Sequence, residues 1–450
     1  MSNKGLPDES VLRLTVIRNH FRLMVRLVCL IGAVLCLLPI TDKEALLAVV
    51  PALSPFVTVT SILAAKKIQP ILGLGFIVGL VTLFRHRWFC RWACPMGLCL
   101  DGANFLGWRL KRKPYQSMSI GRWLFAITIG GAILGYPLFL WCDPLTLFSG
   151  LFLLTEQHHL LAGTVSFLLV MLLLFFSLLW PHIWCRGLCP LGAFQDLLSI
   201  MSRSVRSIIR PATDTQHVGH SGYPVARRTV LGLLAGMASA GILHLTSRKH
   251  SQPLRPPGAV DELTFRGLCT HCGNCIRSCP YDIIRPDMGQ HGITSILSPV
   301  LTFDKNYCRE NCTRCTRFCH SGAILGVDLD NKPDTKIGLA KVDMNLCLLG
   351  EDHECSACMR WCPYSAIRYV FSEEKYLLVP MINADKCNGC GACEVACPTS
   401  PRKAIRVFPN NKKIINNEYS SSPNSFRNIT KVNRTLNPPR ARYFFVNRDI

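Results

Sequence analysis

The chain has 450 residues, of which 49% are hydrophobic and 17% charged, and its length suits two or three domains. Its formal net charge of +22 would suit a nucleic-acid-binding protein, but no recognition motif accompanies that charge. Much of the charge flanks long apolar runs, so it is better explained by membrane topology than by nucleic acid. The apolar runs end near residue 246 and most cysteines follow, which predicts a membrane part followed by a soluble part.

Five apolar runs in the first part are candidate membrane spans. A bilayer core needs about 17–25 apolar residues, which the third and fourth runs supply best. The stretch 45–65 is also apolar, but Pro51 and Pro55 interrupt it, which predicts an interfacial or re-entrant loop. We therefore predict a membrane α-helical bundle of about four spans plus an anchor helix. The five runs are Leu23–Ile40, Ile68–Phe84, Trp123–Trp141, Leu161–Trp180 and Val230–Leu245.

The distribution of Lys and Arg predicts the orientation of these spans. Segments 85–122 and 186–228 are rich in Lys and Arg, whereas 142–160 contains neither. By the positive-inside rule, the two basic segments face the cytoplasm. The fifth span then carries everything after about residue 246 outside. We predict a multi-pass protein of the bacterial inner membrane whose soluble part lies in the periplasm.

Two C-x3-C-P motifs follow spans directly, and two spans separate them, so both lie on the same membrane face. Their similar continuations suggest a duplicated helical hairpin. Together they would supply four thiolates, enough for one further iron–sulfur cluster or metal. The alternatives are a redox-active dithiol and a purely structural repeat. The cysteines concerned are Cys90, Cys94, Cys185 and Cys189.

Arg227 and Arg228 stand directly before the fifth apolar run. Twin arginines here resemble a Tat signal, which exports folded domains and would suit clusters inserted in the cytoplasm. The alternative is an ordinary positive-inside flank. Ala238-Ser239-Ala240 is similar to a cleavage site, so cleavage and retention as an anchor both stay open.

Four cysteine sets after residue 262 have the spacing of [4Fe–4S] ligands. Each such cluster takes four thiolates, and in bacterial ferredoxins the fourth cysteine of a set serves the neighbouring cluster. A disulfide framework or zinc sites would not explain why C-x2-C-x3-C recurs, with proline attached in three sets. Sixteen ligands predict four clusters. The sets are Cys269, Cys272, Cys275, Cys279; Cys308, Cys312, Cys315, Cys319; Cys347, Cys355, Cys358, Cys362; and Cys387, Cys390, Cys393, Cys397.

The predicted domain order follows from these motifs. Residues 1–200 form the transmembrane domain, and 201–262 hold a basic linker, the anchor helix and a Pro-rich linker. Residues 263–408 form an α+β ferredoxin-like polyferredoxin domain, and 409–450 a polar tail. The outer sets are regular and the inner sets irregular, which suggests nested pairing, the first set with the fourth and the second with the third.

These motifs resemble two protein families. Residues 20–200 look like NapH-type membrane ferredoxin proteins, and residues 226–407 look like NapG/MauM-type periplasmic ferredoxins, as in a natural NapH–NapG-like (MauN/MauM-like) fusion. The resemblance implies an electron-transfer subunit of quinol-dehydrogenase type, not a stand-alone catalyst. It would pass electrons from membrane quinol to a periplasmic acceptor protein, such as a nitrate-reductase-type system. The alternative is an electron-delivering factor for the maturation of another metalloenzyme.

A quinol site needs a proton acceptor. The candidates are Asp143, Glu156, His158 and His159, in a loop expected to face outside. No nucleophile–base pair, phosphate loop or flavin or nicotinamide motif stands out, so no catalytic residue is expected.

Overall fold

The computed structural model describes residues 9–38, 46–112, 120–156, 160–209, 222–246, 252–351, 353–373 and 376–409. We call residues 9–246 the helical half and residues 252–409 the cysteine-rich half. The predicted polar tail and the junction at 210–221 lie outside the described residues.

The described helical half consists of α-helices joined by short turns. Single-turn 3-10 helices occupy Leu140–Cys142 and Leu151–Thr155, and Ile183–Leu188 is a π-helix. The α-helices are α1 Glu9–Leu37, α2 Val49–Ala52, α3 Pro55–Ala65, α4 Leu72–Phe84, α5 Trp88–Trp92, α6 Pro95–Arg109, α7 Ile120–Ile133, α8 Pro144–Gly150, α9 Leu160–Leu179, α10 Pro190–Ile209 and α11 Gly222–Thr246.

Two of the described helices contain stretches long and apolar enough to cross a membrane, Arg18–Leu37 and Leu160–Leu179. The other apolar helices are shorter. The run Trp123–Trp141, predicted as one span, is not a continuous helix, because α7 ends at Ile133. Gly135 adopts a left-handed φ of +84° and the Tyr136 amide closes the turn on the Gly131 carbonyl.

The stretch 45–65 is not the predicted loop where the structure describes it, since it contains the buried helices α2 and α3. Pro55 begins α3, and the Ser54 hydroxyl caps it by accepting a hydrogen bond from the Val57 amide. Helix α4 packs closely against α3 at Gly75, where a Cβ would lie 2.0 Å from the Thr58 hydroxyl. The prolines therefore begin buried helices instead of excluding them.

The described cysteine-rich half contains short helices and three two-stranded antiparallel sheets, β1–β2, β3–β6 and β4–β5. In the β3–β6 pair, Leu339 lies opposite Phe408 and Val342 opposite Ile405. The pair thus brings together the two ends of the segment that contains the last two cysteine sets. Single-turn 3-10 helices occupy Ile293–Ser295 and Leu348–Glu351. The remaining elements are α12 Glu262–Leu268, α13 Asn274–Arg277, β1 Ile284–Pro286, β2 Pro299–Leu301, α14 Arg314–Arg317, β3 Leu339–Val342, α15 Ala357–Arg360, β4 Ile367–Ser372, β5 Leu377–Ile382, α16 Ala392–Ala396 and β6 Ile405–Phe408.

One apolar core continues from the helical half into the start of the cysteine-rich half. Phe265, Leu268 and Ile324 belong to the same buried cluster as Phe56 and Leu140. A second core lies among the strands and the later cysteines. The first two cysteine sets are therefore packed directly on the helices.

Candidate metal centres

The first two cysteine sets form two groups of four thiols. Each set gives its first three cysteines to one group and its fourth to the other. Thiol group 1 is Cys269, Cys272, Cys275 and Cys319, since Cys319 interacts electrostatically with the other three. Thiol group 2 is Cys279, Cys308, Cys312 and Cys315, by the same interactions.

The last two sets combine in the same way, and each resulting group lines a cavity. Thiol group 3 is Cys347, Cys355, Cys358 and Cys397. Thiol group 4 is Cys362, Cys387, Cys390 and Cys393.

The nested pairing expected from the regularity of the sets is wrong, because neighbouring sets share their ligands. The physical reason is local. After its fourth cysteine each set is followed within five to eight residues by a strand or bridge, and the fourth cysteine lies beside the adjacent set. Regularity of spacing therefore does not indicate which sets pair.

A repeated local structure places the third cysteine of every set. This cysteine lies in one of the single-turn helices α13, α14, α15 and α16. In the first and fourth sets the residue before the helix is Gly273 or Gly391, with left-handed φ of +73° and +85°. In the two irregular sets Thr313 and Ser356 take this position with negative φ.

The thiol arrangement fits iron–sulfur clusters better than disulfides or zinc. All 24 cysteines lie in the described residues and all are free. Among the described residues, no three His, Cys, Asp or Glu side chains are close enough to ligate one metal ion. Each group instead supplies four thiols, the number that one cubane of four irons and four sulfides takes.

Hydrogen bonds to the sulfurs also fit bound thiolates. The Ile324 amide donates to Cys319 Sγ and the Ala366 amide to Cys362 Sγ, each at 3.3 Å. Burial raises the pKa of the Cys269 and Cys390 thiols to about 12. Such thiols are protonated at neutral pH until a metal displaces the proton.

The two C-x3-C-P motifs meet in the helical half. Cys90 interacts electrostatically with Cys94 and Cys185, and Cys189 interacts with Cys90 and Cys185. We call these four cysteines the C-x3-C-P group.

The two sides of the C-x3-C-P group are built alike. A glycine amide donates to the last sulfur of each motif, from Gly97 to Cys94 at 3.3 Å and from Gly192 to Cys189 at 3.4 Å. The predicted duplication is thus visible in the local geometry.

Arg87 ties the two motifs together. Its guanidinium forms a bidentate ion pair with Asp196, with Nε and Nη2 each 2.6 Å from a carboxylate oxygen. It also donates to the Cys185 carbonyl at 3.2 Å. Gln195 is fully buried, and its side-chain amide lies within hydrogen-bonding reach of the Cys90 thiol.

The four groups of the cysteine-rich half are neighbours in a definite order. Group 1 lies nearest the helical half, where the Asn274 side chain donates to the Leu47 carbonyl at 3.0 Å. Groups 1 and 2 interact between Cys275 and Cys315. The Cys308 amide of group 2 donates to the Cys390 carbonyl of group 4 at 2.9 Å. Groups 4 and 3 interact between Cys393 and Cys358.

The structure describes two of the four candidate quinol residues, and it does not place Asp143 where it was expected. Asp143 is fully buried instead of lying in an exposed loop, and it accepts a hydrogen bond from the Ser54 hydroxyl at 2.6 Å. It also caps α8 by accepting from two backbone amides. Glu156 is half-buried, and His158 and His159 lie outside the described residues.

Comparison with known proteins assigns the cysteine-rich half to a family. The 4Fe-4S dicluster domain family matches residues 268–348 and 353–400. The ferredoxin-type protein MauM of Methylorubrum extorquens is 34% identical over 184 residues, which cover 39% of this chain and 81% of that protein. The chain belongs to the MauM/NapG family of ferredoxin-type proteins.

Two further ferredoxin-type proteins are similar to the cysteine-rich half. NapG of Escherichia coli is 33% identical over 192 residues, covering 40% of this chain and 81% of that protein. NapF of the same organism is 30% identical over 161 residues, covering 36% of this chain and 89% of NapF. No solved structure matches the chain.

The helical half matches a different family, described as a 4Fe-4S binding domain, at residues 69–114 and 162–207. Each match contains one C-x3-C-P motif. The family thus confirms an iron–sulfur electron-transfer protein, and one dicluster match contains the first two cysteine sets while the other contains the last two except Cys347.

Proposed function

We propose that the protein relays electrons from membrane quinol through four [4Fe–4S] clusters to a periplasmic reductase, such as a nitrate-reductase-type system. The observation that carries the proposal is the order of the thiol groups, from group 1 on the helices through groups 2 and 4 to group 3. Each cubane exchanges single electrons, and thiolates of groups 1 to 4 would hold the four. Oxidation of one quinol to quinone releases two electrons and two protons, so the relay would be used twice per quinol.

Exposed apolar side chains support membrane insertion of the helical half. Phe76 on α4, Leu161 and Leu168 on α9, and Phe84 at the end of α4 are each more than 60% exposed. Side chains of this size are rarely left in water in such numbers. We propose that the shorter apolar helices complete a multi-pass bundle with α1 and α9, with α11 as the anchor behind its twin arginines.

The C-x3-C-P group is the proposed site of a fifth cluster or metal, held by its four thiols. The buried Asp143 interacts electrostatically with Cys94 and Cys189, and α8 continues from it to Gly150. A Cβ at Gly150 would lie 3.8 Å from the His271 carbonyl in the loop of group 1. Helix α8 therefore connects the C-x3-C-P group to group 1, which supports entry of electrons from the membrane side.

The test uses anaerobic membranes and a soluble quinol analogue, with cluster reduction followed by EPR. We expect the analogue to reduce the clusters, and the variant Cys185→Ser to slow this at least about tenfold. Cys29→Ser, on α1 and outside the motifs, is the matched control and should leave the rate unchanged. Reduction by dithionite but not by quinol in the unmodified protein would overturn the proposal and favour a maturation factor with another donor.

A further inference from the structure

A lysine is buried beside thiol group 2. Residues 328–334 form a surface turn in which every residue except Lys332 is exposed, whereas Lys332 is 0% exposed. A lysine is among the residues least often buried. Its position in an otherwise exposed turn indicates that the side chain is directed inward by specific contacts.

Those contacts are with the ligand loop of the second cysteine set. The Lys332 ammonium donates to Cys308 Sγ at 3.3 Å and to the carbonyls of Arg309 and Cys312. Other ligand sulfurs accept hydrogen bonds from neutral groups, such as the Ile324 amide on Cys319 and the Ala366 amide on Cys362.

The charge of Lys332 needs a partner. Within the described residues no carboxylate forms an ion pair with it, although an isolated buried ammonium is strongly unfavourable. Four thiolates around a cubane carry net negative charge, and that charge grows by one on reduction. The ammonium is thus compensated by the ligands of group 2, and more fully when the cluster is reduced.

We propose that Lys332 is a positioning residue that raises the reduction potential of the cluster held by thiol group 2. Hydrogen bonds to the sulfurs and nearby charge are the protein's main means of setting such potentials. Without the ammonium, the equilibrium constant for reduction of this cluster should fall at least about tenfold, which lowers its midpoint potential by about 59 mV for one electron. Group 2 is the second site in the relay, so electrons arriving from group 1 would be held there.

Lys336 provides a matched control. Its ammonium also donates to carbonyls of a ligand loop, including that of Cys387 at 3.0 Å, but it is exposed and touches no sulfur. Water screens an exposed charge, so its removal should shift no cluster potential measurably.

The experiment is an EPR-monitored redox titration of the full anaerobic chain, with iron content measured in parallel. The component lost in Cys315→Ser identifies group 2. Lys332→Met should lower the midpoint of that component alone by at least about 59 mV without loss of iron, and Lys336→Met should shift nothing. Lys332→Gln, which keeps a donor without the charge, should also lower the midpoint.

Unchanged potentials in Lys332→Met or Lys332→Gln with full iron content would overturn the proposal. Loss of the group 2 iron in both variants would also overturn it, because Lys332 would then only hold the loop. The proposal needs the clusters but neither quinol nor a particular membrane orientation, so it can fail while the relay stands.

Discussion

At the scale of single residues, the protons on the buried cysteines couple cluster binding to pH. Burial raises the pKa of Cys269 and Cys390 to about 12, whereas Cys397 is an exception. Burial acts to raise the pKa of Cys397 as well, but hydrogen bonds from the Thr399 hydroxyl and from backbone amides outweigh it and lower the value. Without iron the thiols of Cys269 and Cys390 are protonated at neutral pH, whereas cysteines bound to iron are thiolates.

Iron retention should therefore weaken as pH falls. Each protonated ligand must lose its proton on binding, so acid favours the iron-free form throughout the range below the raised pKa values. We expect anaerobic transfer of iron to a chelator to be at least about tenfold faster at pH 6 than at pH 8. Bleaching of the visible absorbance measures this rate, and equal rates at the two pH values would contradict the assignment of buried thiols as ligands.

The sharing of ligands between neighbouring sets makes a second prediction. Cys279→Ser and Cys315→Ser should perturb the same EPR component, because both residues belong to thiol group 2. Under nested pairing Cys279→Ser would instead perturb the component altered by Cys390→Ser. The comparison of these three variants, each with its iron content, decides between the two arrangements.

At the scale of elements, the loop before α13 docks the first cysteine set on the helical half. Gly273 has a left-handed φ of +73°, and a Cβ there would lie 2.5 Å from the Leu153 side chain. Arg277, in the same helix, donates to the Leu37 carbonyl at 3.0 Å. Both contacts join group 1 to the helices from which electrons are proposed to come.

The variant Gly273→Ala should slow electron entry without removing iron. The new methyl group would displace Leu153 and add about 1–2 kcal/mol of backbone strain. Gly289→Ala is the matched control, since Gly289 has φ of +98° but a Cβ there would lie 3.9 Å from its nearest neighbour, the Ile296 side chain. We expect quinol-driven reduction to fall severalfold in Gly273→Ala only; an equal fall in both variants would assign the effect to strain.

The elements also show how far the sequence predicts the fold. Spacing alone predicted sixteen candidate ligand cysteines and two C-x3-C-P motifs, because ligand chemistry imposes local offsets. It did not predict the break after Ile133, which depends on a left-handed glycine, or the burial of α3. The burial of Lys332 could not be predicted from the sequence, since a lysine among aspartates is typical of a surface turn. Its inward direction depends on the fold around Cys308.

At the scale of the whole molecule, the proposed orientation can be tested by protease access. The positive-inside rule assigns segments 85–122 and 186–228 to the cytoplasmic side, and groups 1 to 4 belong to the half proposed to be periplasmic. In spheroplasts, externally added protease should cleave sites placed in the exposed turn 328–331 and spare sites placed at 110–112. Cleavage only after lysis would contradict the periplasmic orientation.

Iron and sulfide analysis of the anaerobically purified chain, with quantitative EPR, tests whether the cysteines after residue 262 bind four [4Fe–4S] clusters. The account predicts a brown protein with about 16 iron atoms per chain, or about 20 when the C-x3-C-P group is also filled. In a variant lacking Cys90 and Cys185 the count should be about 16. A colourless chain whose thiols bind zinc or form disulfides would contradict it.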